Sequence, residues 1–117
     1  MKYEIKPLKL DNGTEYLTII FEDTKLTSLH SFIVDDFSAF TQDYLEIFDN
    51  VLSGKVEKDS ASGNACSFEV DKEKTVIEFL YPENENEPEI CTVNTRELRS
   101  LMDEWLQKRA EFLKTKG

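Results

Sequence analysis

LTSLHSFIVD, Leu26–Asp35, sets the strand count of the N-terminal half. His30 alternates with Ser28, Phe32 and Val34, a period of two that reads as a strand with two unlike faces. Just upstream, EYLTIIFE (Glu15–Glu22) is rich in β-branched and aromatic residues and reads as a central strand. Before it, Tyr3, Ile5, Leu8 and Leu10 alternate around Pro7, which suits an edge strand or one with a bulge. Asp11-Asn12-Gly13 supplies a hairpin turn, because Asn and Gly tolerate positive φ. Three strands joined by short turns imply an antiparallel meander.

Downstream the period changes. Phe40, Tyr44, Ile47, Phe48, Val51 and Leu52 follow the three-and-four spacing of a helix with one buried face. Asp35, Asp36 or Ser38 is placed to cap its first turn, and Gly54 marks its end. Lys55–Asn64 is the most flexible-looking connection, a loop or an extension of the next strand's edge. Alternation returns in CSFEV (Cys66–Val70); TVIEFLY (Thr75–Tyr81) follows as a near-continuous apolar strand and EICTV (Glu89–Val93) as the last one. Asn94 and Glu97 then form a capping-box pair. Leu98, Leu101, Met102, Trp105, Leu106, Phe112 and Leu113 line one stripe of a closing helix. The expectation is a single α+β domain over residues 1–117: an antiparallel β-sheet system in βββα-βββα order with two amphipathic helices packed on the sheet.

Fourteen basic against twenty-four acidic side chains leave a formal charge of −10. That field repels phosphate backbones and anionic lipid, which argues against direct nucleic-acid or membrane binding and favours basic protein partners. No apolar run reaches the ~20 residues needed to span a bilayer. MKYEIKPLKL lacks the apolar segment of a secretory signal, so the expected location is cytoplasmic. Cys66 and Cys91 lie in apolar alternating segments, which points to buried reduced thiols; a bridge requires the two strands to be neighbours. With one His and no CxxC pair, no zinc set is complete.

No catalytic signature is present. His30 is the single imidazole and reads as a structural or surface residue. No Gly-rich phosphate loop, nucleophile elbow or dinucleotide fingerprint occurs. Paired-carboxylate glycosidase chemistry needs a cleft lined by sugar-binding groups, for which the sequence gives little sign. A non-enzyme without cofactor or metal is expected.

The acidic candidates are Glu22 with Asp23, Asp35 with Asp36, Glu69 with Asp71, and the stretch YPENENEP (Tyr81–Pro88). If that stretch is extended, Glu83, Glu85, Glu87 and the following Glu89 form a carboxylate fan. It is open to three readings: a solvated loop between two strands, a partner-binding surface, or a cation site. The last lacks the Gly of a calcium loop. Glu69, Asp71, Glu83, Glu85, Glu87 and Glu89 are the partner-binding candidates.

The element order, the acidity and the closing segment TRELRSLMDEWLQKRAEF resemble some immunity proteins of bacterial contact-dependent growth inhibition and related polymorphic toxin systems. A few of those have folds similar to the Whirly single-stranded-DNA-binding domain, each half a sheet followed by a helix. The resemblance spans the whole chain as element order and transfers no binding residue by position. A Whirly-type nucleic-acid binder needs basic and aromatic side chains along its strands, whereas this chain is acidic. The resemblance implies a stoichiometric inhibitor whose carboxylates take the place of substrate phosphates on a basic nuclease toxin. The alternative is a small cytosolic regulatory or adaptor domain acting by protein-protein binding, with an exposed strand edge offering a route to a homodimer.

Overall fold

The computed structural model describes residues 1–116. The α+β class and the antiparallel pairing agree with the sequence reading. Strands β1 (Tyr3–Lys9) and β2 (Glu15–Phe21) form a two-stranded hairpin. Strands β3 (Lys58–Ser62), β4 (Cys66–Asp71), β5 (Lys74–Phe79) and β6 (Ile90–Asn94) form a four-stranded sheet in that order. Helix α1 (Thr27–Ser31), a π-helical turn (Phe32–Phe37) and α2 (Thr41–Leu52) connect the two sheets, and α3 (Thr95–Lys116) closes the chain.

Leu26–Asp35 is therefore helical and not a third strand. From there through Phe37 the fully buried apolar side chains are Leu29, Phe32, Ile33 and Phe37, spaced three and four apart. Polar Ser28 and Asp36 occupy the same buried face and break up that stripe. Over so short a run the remaining apolar residues also fit alternation. Without a third strand, β2 pairs with β1 alone and is not central. The two halves are unequal, with two strands in the first and four in the second. The extra strand, β3, comes from the connection expected to be loop or strand extension.

Turn and cap chemistry follows the local sequence. Gly13 takes φ +87, and the Thr14 N–H donates to Asn12 Oδ1 at 2.9 Å. The β1–β2 register runs without a bulge through Pro7, which lies opposite Leu17 on this edge strand. Gly54, φ +84, follows the last turn of α2 and turns the chain away, and α3 begins with the Glu97 N–H donating to Asn94 Oδ1 at 3.0 Å. Thr95 Oγ1 donates to the Asp71 carbonyl at 2.7 Å and so accepts from Thr75 Oγ1 at 2.9 Å, tying the start of α3 to the sheet.

One core joins these parts. Phe32 stacks with Tyr44 at 5.5 Å and meets Phe68 edge-on at 5.4 Å, linking the π-helical turn, α2 and β4. Aromatic pairs of this kind contribute about 0.5–1.5 kcal/mol each beyond area burial. Leu98, Leu101, Met102 and Trp105 of α3 are buried, and the Trp105 indole N–H donates to Ser38 Oγ at 3.0 Å. The stripe stops near there: Leu113, expected on it, is 57% exposed.

The capping role expected of Asp35, Asp36 or Ser38 is not what these side chains do, since α2 starts at Thr41 with no side-chain cap. Asp36 is instead fully buried. Its Oδ1 accepts the N–H groups of Asn64 and Ala65 at 2.9 Å each, and its Oδ2 that of Cys66 at 2.8 Å. A buried charge requires such donors. The carboxylate fixes the β3–β4 turn against the helices.

Candidate partner-binding surface

On the four-stranded sheet, Cys66, Phe68, Val70, Thr75 and Ile77 point into the core. Alternation sends Ser67, Glu69, Val76 and Glu78 to the opposite face, which is open to solvent. Glu69 lies between Ser60 of β3 and Val76 of β5, while Ser67 lies between Ser62 and Glu78. Glu78 in turn faces Ile90 of β6. The small serines leave a hollow of about 560 Å³ bordered by Glu69 and Glu78. Neither glutamate takes part in an ion pair among the described residues. Lys58 and Lys74 stand one row away, opposite Asp71 and Asn94.

The six expected partner-binding residues do not form one patch. Glu69 stands on the open sheet face. Asp71 closes the β4–β5 turn: its Oδ1 accepts the N–H groups of Glu73 and Lys74 at 2.8 Å each. Those hydrogen bonds, first that of Lys74, hold its carboxyl below the usual carboxylate range. Glu83, Glu85 and Glu87 are exposed on the β5–β6 loop. Glu89 is half-buried and borders a separate hollow with Thr27, His30 and Phe79.

The stretch Tyr81–Pro88 is not extended, so the alternating fan does not form. The Asn86 N–H donates to Asn84 Oδ1 at 3.0 Å and the Glu87 N–H to the Asn84 carbonyl at 2.9 Å, a local turn of the kind Asn favours. No group of His, Cys, Asp or Glu among the described residues is arranged to hold a metal ion. His30 is structural. Its Nδ1 contacts the Ile19 carbonyl at 2.8 Å, and since a carbonyl only accepts, Nδ1 carries the proton.

Across its whole length the chain is 31% identical to a protein named "Immunity protein" from Bacillus cereus, covering 100% of this chain and 97% of the relative. The chain belongs to that immunity-protein family. No family model matches it. No solved structure matches it either. Two features of this immunity protein's surface escaped sequence reasoning. Glu78 was hidden inside TVIEFLY, which reads as near-continuously apolar. The serine row of β3 was hidden because Lys-Asp-Ser-Ala-Ser has little β propensity. The signal available for Glu78 was its phase, two residues from Val76 and opposite to Ile77. No described helix is long and apolar enough to cross a membrane.

Proposed function

We propose that this immunity protein binds a cognate toxin and neutralises it by occupying its working surface, without catalysing any reaction. The observation that carries the reading is the full-length kinship with a protein named for immunity. The formal charge of −10 favours a basic partner, and a nuclease is the toxin class whose phosphate-binding site carboxylates would fill. The setting we propose is a contact-dependent or other polymorphic toxin system, with neutralisation in the cytoplasm. Of the acidic candidates, Glu69 and the loop residues Glu83, Glu85 and Glu87 have exposed carboxylates, while Asp71 is engaged in its turn.

The test is co-expression with the toxin encoded beside this gene, followed by affinity capture and size-exclusion chromatography. A co-purifying complex supports the reading. Separate elution of two folded proteins at micromolar concentration overturns it.

A further inference from the structure

Resting on the toxin-binding reading, we infer that the toxin docks on the open face of the β3–β6 sheet, with one of its arginine or lysine side chains seated between Glu69 and Glu78. Register fixes the relation of these two carboxylates. Glu69 opposes Val76, and Glu78 opposes Ser67, two residues before Glu69. They are therefore diagonal neighbours with Cβ atoms about 7 Å apart, close enough for one cationic group to meet both. Like charges so placed repel each other, and although Lys58 and Lys74 stand one row from Glu69 on its other side, neither glutamate forms an ion pair among the described residues. Ser60, Ser62 and Ser67 keep the space beside them empty, leaving a hollow of about 560 Å³ that accepts a long side chain.

Around Glu78 this face carries apolar side chains where an ordinary solvent-facing strand is polar. Leu80 is 39% exposed and Ile90 is 49% exposed, the latter directly opposite Glu78. Exposed apolar side chains beside unpaired charge match the composition of a protein-docking face, in which the apolar contact excludes water and strengthens the charged one. The β5–β6 loop has a different character. Its three glutamates are exposed around a solvated turn, so their contribution is long-range attraction.

Two variants separate the surfaces: E69Q/E78Q, and E83Q/E85Q/E87Q. All five substitutions are at exposed positions, and circular dichroism melting verifies that each variant folds. Against the adjacent-gene toxin, E69Q/E78Q should bind about 30-fold more weakly or worse. The loop variant should lose less than about threefold at 0.15 M salt. The reverse ranking, or equal binding by both variants and the parent, overturns the docking face while leaving the immunity reading intact. If the parent itself forms no toxin complex, the immunity reading falls.

A second arm is independent of the toxin. In an amide NMR titration with tetra-arginine peptide, Ser67, Glu69, Val76 and Glu78 should shift and saturate, and E69Q/E78Q should abolish this. Shifts confined to residues 83–87, or no shift on the sheet, overturn the seat for a cationic side chain.

Discussion

Asp36 Oδ2 accepts the Cys66 backbone N–H at 2.8 Å, joining two residues 30 positions apart and fixing where β4 begins. Because the same carboxylate accepts the N–H groups of Asn64 and Ala65, its removal leaves three donors without their acceptor, that of Cys66 in a buried position. Asp36→Ala should cost about 3–5 kcal/mol. Asp36→Asn should also destabilise, because an amide offers one acceptor and turns two donors toward N–H groups. Urea unfolding measures both. Gly63→Ala should destabilise as well, since a Cβ there would lie 2.5 Å from Asp36 Cγ and 2.6 Å from the Tyr44 hydroxyl. A Gly63→Ala stability within 0.5 kcal/mol of the parent, on the order of an ordinary surface change, would contradict this packing.

Tyr44 supplies a contrasting case. Its hydroxyl is buried without a hydrogen-bond partner among the described residues, so Tyr44→Phe should be neutral or stabilising by up to about 1 kcal/mol at neutral pH. Burial first, then the Asp36 charge, pushes the Tyr44 phenol up to about 12 from its ordinary 10. Above pH 10 the unfolded chain releases this proton while the folded chain keeps it, so stability falls as pH rises from 10 toward 12. Tyr44→Phe should flatten that part of the decline, read from unfolding free energies at half-unit pH steps. An unchanged slope would place the hydroxyl in water.

The two thiols are separate and reduced. Strand β5 lies between β4, which carries Cys66, and β6, which carries Cys91. Two strand spacings amount to about 9–10 Å, beyond the ~7 Å Cα limit for a disulfide. Burial pushes the Cys66 thiol up to about 12, and raises that of Cys91. Neither should react with a thiol reagent in the native protein near pH 8, and both should react in denaturant. Rapid native labelling of either cysteine would contradict the core described here.

Salt should weaken toxin binding chiefly through the association rate, because most of the acidic surface acts at long range. Raising ionic strength from 0.05 to 0.5 M should slow association about tenfold or more and change dissociation far less. Stopped-flow mixing measures both rates. A salt-independent association rate would remove electrostatic steering from the account.

What could be read in the sequence depended on how far each residue's neighbours in space are its neighbours in the chain. The Asn12-Gly13 turn, the Gly54 stop and the Asn94 cap are local, and each stands where it was expected. The stripe of α3 was legible through Trp105 and ended where the helix runs past the core, a limit set by chain packing and not by Leu113 itself. Leu26–Asp35 reads as a strand because the helical face it shares with the residues that follow includes the polar Ser28 and Asp36. Ser28 Oγ lies 3.0 Å from Cys91 Sγ, and Asp36 reaches Asn64–Cys66, so their polarity is satisfied by distant chain. At the candidate site, Glu69 was visible from alternation alone. Its pairing with Glu78 depended on register, which no local pattern contains.

Residual toxin activity against the molar ratio of added immunity protein tests the central claim most directly. Stoichiometric neutralisation predicts a linear fall with a break at one equivalent when both proteins are well above their dissociation constant. Full activity at excess immunity protein, or complete loss of activity at a small fraction of an equivalent, would contradict inhibition by binding.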